Sequence, residues 1–122
     1  MHKVKITSRF SSAHFLRNYK GKCENLHGHN WKVEVVVSGE ELNSLGMVID
    51  FSDLKKLTKS VLDELDHKNL NDLEYFKKNN PSSEEIAKYV FIELEPVISA
   101  KGCILDEIRV WETDNSCAIY QG

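Results

Sequence analysis

The segment His27-Gly28-His29-Asn30-Trp31-Lys32-Val33-Glu34-Val35-Val36-Val37-Ser38 decides the fold. Alternate side chains of a strand point to one side, so His27, His29, Trp31, Val33, Val35 and Val37 share a face. That face is apolar over its second half and carries two imidazoles over its first. A half-buried strand needs a partner, and residues 3–15 read as one, with Val4, Ile6, Phe10 and His14 on a common parity. Between the two, Asn18 to Asn25 holds Gly21 and several charges and reads as a loop.

Downstream the period changes. After a connection at Ser38–Gly46, Leu54, Leu57, Val61 and Leu65 recur at helical spacing and predict a helix over 51–65, capped by Asp50 or Ser52. Asp66 and His67 follow at its C-terminal end. A polar stretch, 69–80, leads to Pro81 and a Ser82-x-x-Glu85 capping box, which opens a second helix bearing Ile86, Val90, Leu94 and Val97/Ile98 on one side. Pro96 lies inside that pattern and predicts a kink or an early end. Gly102 closes the helical half. Residues 104–112 predict a third strand and 116–120 a fourth, with a turn at Asp114-Asn115. The order ββααββ, with short links, predicts one α+β domain over 1–122: an antiparallel four-stranded sheet with two helices on one face. Such a sheet has two open edges, so pairing between copies into a closed barrel is expected.

The composition belongs to a folded chain. Of 122 residues, 41% are hydrophobic and 29% charged, with 16 Lys+Arg against 19 Asp+Glu and a net charge of −3. No dense basic run supplies the phosphate neutralisation on which nucleic-acid binding rests, so no nucleic-acid partner is expected. No apolar run approaches the roughly 20 residues that span a bilayer. Nor do the first ten residues carry a signal-peptide core, so no membrane association and a cytoplasmic location are the expectations. Three cysteines, Cys23, Cys103 and Cys117, are too few and too odd for a disulfide framework and are read as reduced.

The chemistry concentrates in Cys23-Glu24-Asn25-Leu26-His27-Gly28-His29. Two histidines at i and i+2 on a strand project to the same side and can share one metal ion, while Gly28 permits close approach. His14 lies at a compatible parity on the neighbouring strand. Three nitrogens with an open fourth position are the donor set of a catalytic rather than a structural zinc site, and imidazole-only ligation favours zinc over iron or nickel. Cys23 reads as a fourth ligand, a small buried hydrophobe, or a nucleophile or base beside the cation, which would lower its pKa. Asp66-His67 reads as a proton-transfer unit at a helix end or as a solvated turn. Glu112 continues the inward parity of Val110. There an unpaired carboxylate is costly, so either the strand has reached solvent or the carboxylate meets donors, such as those of an amino-substituted heterocycle. Cys103 and Cys117 read as packing residues.

In order along the chain, Phe10-Ser11-Ser12-Ala13-His14, Cys23-x-x-x-His27-Gly28-His29, Met47-Val48-Ile49-Asp50-Phe51, Leu65-Asp66-His67, Leu70-Asn71, Asn80-Pro81-Ser82-Ser83-Glu84 and Trp111-Glu112-Thr113 resemble the 6-pyruvoyltetrahydropterin synthase family. Within it, they resemble the bacterial 6-carboxytetrahydropterin synthases of the queuosine pathway. The resemblance covers nearly the whole chain. It implies a tunnelling fold that assembles into trimeric barrels stacked as a homohexamer, and zinc held by His14, His27 and His29. Cys23 is implied as general base, Asp66 and His67 as a proton relay, and Glu112 with Thr113 as the anchor of the pterin ring, in a site between subunits. The implied substrate is 7,8-dihydroneopterin triphosphate, with Arg9, Arg17, Lys20 and Lys22 as candidates for its phosphates. Two alternatives remain at this stage: the pyruvoyl-forming reaction on the same substrate, and a non-catalytic module that binds metal or pterin.

Overall fold

In the computed structural model, which describes residues 1–19, 21 and 25–122, two long strands form the frame. β1 (His2–His14) and β2 (His27–Gly39) pair antiparallel in unbroken register from His2 opposite Gly39 to His14 opposite His27. β2 pairs antiparallel with β4 (Ile104–Thr113), with a register shift at Val36/Val37. β4 pairs antiparallel with β5 (Ser116–Gln121), with a second shift between Trp111 and Thr113. A short β3 (Lys68–Asn69) adds to the outer side of β1 in parallel, opposite Ser12 and Ala13. Among the described residues the sheet is therefore five-stranded and mixed, in the order β3-β1-β2-β4-β5, and not the four-stranded antiparallel sheet expected from the sequence.

Among the described residues three α-helices, not two, join these strands. α1 (Phe51–Leu62) starts where Asp50 accepts the Ser52 N–H. The chain leaves the helix at Leu62, so Leu65, although fully buried, belongs to the turn that follows. His67 thus lies beyond the last helical turn and its dipole, in the left-handed region at φ +55°. The polar stretch holds a 3₁₀ turn (Leu70–Asp72) and a short α2 (Glu74–Lys78), which buries Phe76. α3 (Ser83–Ser99) is capped by Ser82, whose hydroxyl accepts the Glu85 N–H. The reciprocal half of the box is absent, because the Glu85 carboxylate accepts the Tyr75 hydroxyl instead. α3 continues three residues past Pro96, so the early end expected there does not occur.

The helices cover one face of the sheet. Phe10, Trp31, Val33, Val35, Ile108 and Val110 pack there against Leu54, Leu62, Ile86, Val90, Leu94 and Ile98, and each large buried side chain contributes about 1.5–3 kcal/mol. The other face is polar and cross-linked. Glu34 accepts from Lys5 Nζ at 2.6 Å and from Trp111 Nε1 at 2.5 Å, Arg109 pairs with Glu107 at 2.5 Å, and Lys3 with Asp106 at 3.1 Å. This cover explains why Glu34 and Val36 are buried on the parity opposite to the core. Among the described residues, no helix is long and apolar enough to cross a membrane.

Candidate functional site

At the His14–His27 end of β1 and β2, the pairing that aligns the core also aligns three imidazoles. His14 faces His27 across the ladder, His29 faces Ser12, and Trp31 faces Phe10. The Trp31 indole, fully buried, stands edge-on to both His14 and His29 at centroid distances of 4.9 and 5.1 Å. Its N–H donates to the Ser12 carbonyl at 3.2 Å, which fixes the ring between them.

Backbone carbonyls set the tautomers. His14 Nδ1 lies 2.7 Å from the Pro81 carbonyl, in the turn that caps α3, and His27 Nδ1 lies 2.7 Å from the Asn25 carbonyl. A carbonyl oxygen only accepts, so each Nδ1 carries a proton and donates it, and each ring turns its Nε2 inward. Those two Nε2 atoms are 3.0 Å apart. Burial holds His14 below the ordinary imidazole value, with the nearby His27 acting in the same sense against the Pro81 bond and the Glu112 charge. Burial likewise lowers His29, against the attraction of Glu112. Two inward ring nitrogens at that separation, beside a third imidazole, are placed to share a cation, and this donor chemistry fits a zinc ion.

A fourth group joins them. Glu112 Oε1 lies 2.8 Å from His29 Nε2 and 3.7 Å from His14 Nε2, and one ligand atom from each of the four residues falls within 4.8 Å of the others. His29 Nε2 is nonetheless a buried atom without an aligned hydrogen bond. Glu112 Oε2 accepts from Ser83 Oγ at 3.3 Å. The same carboxylate borders a cavity of about 270 Å³ walled by Ser83, Glu84 and the β5 segment Ser116–Ala118. Sequence reasoning offered solvent or a heterocycle as the surroundings of Glu112 and missed its place among the histidines. The parity it shares with Val110 was the available signal.

Asp66 and His67 are not among the four converging side chains. Asp66 accepts the Ser11 N–H at 2.8 Å, which holds its carboxyl below the ordinary range, and it pairs with His67 Nδ1 at 3.0 Å. The His67 N–H returns to the Ser11 carbonyl at 2.6 Å. Next to it, the Ser12 hydroxyl donates to the Leu65 carbonyl and accepts the Lys68 N–H at 3.2 Å. The pair is thus stapled to the outer edge of β1, with the His67 side chain 83% exposed.

The other predicted residues fall in varied places. Cys23, with Lys20 and Lys22, lies outside the described residues. The Thr113 hydroxyl accepts the Asn115 N–H at 3.2 Å and shapes the β4–β5 turn. Arg17 donates to the Phe76 carbonyl at 2.5 Å, a structural bond, whereas Arg9 is exposed opposite Lys32. Cys103 is buried, as expected of a packing residue. Cys117 is exposed and borders the Glu112 cavity, so packing does not account for it.

A small α+β chain with three imidazoles and a carboxylate converging beside a cavity is of the class whose side chains could hold a metal ion. A profile of the family described as 6-pyruvoyl tetrahydropterin synthase matches residues 3–122, and the chain belongs to that family. It is 38% identical to the human 6-pyruvoyl tetrahydrobiopterin synthase, over 97% of this chain and 83% of the relative. It is 35% identical to the 6-carboxy-5,6,7,8-tetrahydropterin synthase of Haemophilus influenzae, over 99% of each. The solved 6-pyruvoyl tetrahydropterin synthase of Caenorhabditis elegans superposes with a TM-score of 0.89 at 36% identity, covering 99% of this chain and 95% of that one.

Proposed function

We propose that this protein is a zinc-dependent 6-carboxy-5,6,7,8-tetrahydropterin synthase. It converts 7,8-dihydroneopterin triphosphate and water to 6-carboxytetrahydropterin, acetaldehyde and triphosphate in the cytoplasm, as a step of queuosine biosynthesis. The observation that carries the reading is the pair of inward Nε2 atoms 3.0 Å apart, beside a cavity bordered by Glu112.

His14, His27 and His29 hold the zinc. When bound, it supplies Lewis-acid polarisation of the substrate's side-chain oxygens, which acidifies the adjoining C–H. Cys23, as thiolate, removes that proton, and Asp66 with His67 relays it. Asp66 sets the tautomer of His67 by accepting from its Nδ1 and leaves Nε2 for the transfer. Glu112 accepts from the ring N–H and amino group of the pterin, and Thr113 adjoins it. Because His67 is directed to solvent on the outer edge of β1, a site completed by a second copy agrees with its exposure. The assembly proposed is a homohexamer of two trimeric barrels, each chain contributing one domain.

The pyruvoyl-forming reaction is the second reading, favoured by the 38% identity to the human enzyme of that name. Mass analysis of the product formed by zinc-loaded protein from 7,8-dihydroneopterin triphosphate separates the two. Carboxytetrahydropterin with acetaldehyde is expected; pyruvoyltetrahydropterin without acetaldehyde selects the second reading. No turnover at full zinc occupancy returns the protein to a non-catalytic binding module.

A further inference from the structure

His14 is the last residue of β1, and the end of an element is where local order is weakest. Beyond it the chain leaves the sheet, yet its backbone is held. The Asn71 side chain accepts the Phe15 N–H at 2.9 Å and donates to the Phe15 carbonyl at 3.0 Å. Asn80 repeats the clasp two residues on: its Oδ1 accepts the Arg17 N–H and its Nδ2 donates to the Arg17 carbonyl, both at 2.9 Å. A side-chain amide offers an acceptor and a donor side by side, as a strand does, so each asparagine stands in for a neighbouring strand. The two clasps hold different things. Asn71 ties the exit of β1 to the 3₁₀ turn, whereas Asn80 ties it to the turn that opens α3. In that turn the Asn80 carbonyl accepts the Ser82 N–H at 2.8 Å around the buried Pro81. Proline confines the residue before it to extended backbone, and Ser82 caps the helix on the far side. The carbonyl of Pro81 is thereby fixed in direction, and it is the group 2.7 Å from His14 Nδ1.

We propose that Asn80 is a positioning residue for the metal ligand His14. Its clasp on Arg17 brings the Pro81 carbonyl to His14 Nδ1 and so keeps the Nε2 of that ring aimed at the cation. This rests on the reading above, in which His14, His27 and His29 hold a cation. The contrast with His27 shows why a clasp is needed. His27 takes its carbonyl from Asn25, two residues away, and needs no support from elsewhere in the chain. The carbonyl that orients His14 comes from 67 residues away and has to be held in place by a long-range tie. Among the described residues the Asn80 side chain bonds only Arg17, so it acts on the metal through His14 alone. The other ties on this stretch, Asn71 to Phe15 and Arg17 to the Phe76 carbonyl, fasten the β1 exit to the segment before the turn and not to the turn itself.

Zinc affinity and the His14 ring proton test this together. Full-length wild type, Asn80→Ala, Asn80→Asp and Asn71→Ala are freed of metal, melted, and titrated with zinc against a chelating indicator. An imidazole N–H held by a carbonyl exchanges slowly with water, so zinc-loaded wild type is expected to show the His14 Nδ1 proton far downfield in its NMR spectrum, assigned through nitrogen-15 labelling. Asn80→Ala is expected to weaken zinc binding roughly 10- to 100-fold and to broaden that resonance away. Asn71→Ala also removes a two-bond clasp; it is expected to lower the metal-free melting midpoint to a similar extent while keeping zinc affinity and resonance. Asn80→Asp retains the acceptor for the Arg17 N–H, loses the donor, and is expected to fall between; it carries the test should Asn80→Ala not fold. The proposal is overturned if the folded Asn80 variants bind zinc as tightly as wild type with the His14 proton in place. It is equally overturned if Asn71→Ala weakens zinc as much as Asn80→Ala, since both clasps would then only stabilise the fold. Wild type taking up less than one zinc per chain, or His27→Ala retaining it, overturns the functional reading and this proposal with it.

Discussion

The histidine cluster and the Asp66–His67 pair are both made from β1, yet they are built in opposite ways. In the cluster, side chains from β1, β2 and β4 converge on the helix-covered side, and carbonyls of Pro81 and Asn25 orient two of the rings. In the pair, the Asp66 carboxylate and the His67 backbone N–H are tied to Ser11, while the imidazole, held only by Asp66, is left in solvent. The four converging side chains are held throughout, whereas the Asp66–His67 pair is held only as far as its carboxylate.

Substitutions that strike one region and spare the other test this contrast. The largest effect is expected from His27→Ala or His29→Ala, which should abolish stoichiometric zinc and all turnover while leaving the thermal midpoint of the metal-free protein nearly unchanged. Metal analysis beside a melting curve decides it, and stoichiometric zinc in both variants would remove the ligand assignment. Next come Cys23→Ala and His67→Ala, expected to keep zinc and lower kcat by about 10²–10⁴-fold. If the sites lie between subunits, mixing a Cys23→Ala protein with a His67→Ala protein and letting subunits exchange should restore part of the activity. Recovery no greater than the sum of the two parents would argue that each chain works alone.

Ser12→Ala sharpens the comparison further, since the hydroxyl bonds only to the residues flanking Asp66 and His67. It leaves the Leu65 carbonyl and the Lys68 N–H without their shared partner, a loss of about 1–3 kcal/mol. Zinc should stay and kcat should fall more than KM rises; an unchanged kcat with a lowered midpoint would make the serine structural only. The smallest effect belongs to the polar face of the sheet. Burial raises Glu34, but the bonds from Lys5 and Trp111 outweigh it and hold the carboxyl below its ordinary value of 4.5. The stabilisation is therefore complete above that value and is lost as pH falls through the lower, folded one. Melting curves of wild type and Glu34→Gln should differ at neutral pH and converge in acid, and a constant gap would refute the assignment.

Much of this was legible in the sequence wherever the signal is local. Strand parity placed His14, His27 and His29 together, and Asp50 and Ser82 cap their helices because a cap needs only its own next turn. What the sequence hid depends on distant partners. Two residues, Lys68 and Asn69, become a strand only because Ser12 and Ala13 lie beside them. Leu65 fits the helical period but is buried in a turn, since burial and not helicity is what the period records. The direction of Glu112 follows from a bulge set by the β4–β5 pairing, which no spacing within β4 reveals.

The position of Trp31 has an optical consequence. One of the two indoles is sealed from water between the rings of His14 and His29, whereas the other, Trp111, is partly exposed beneath the Lys32 ammonium at 4.6 Å. Emission from the sealed ring falls at shorter wavelength, and its intensity answers to the charge on the two imidazoles it touches. A cation taken up by those imidazoles is therefore expected to change the emission of the sealed indole, a signal readable without label or substrate.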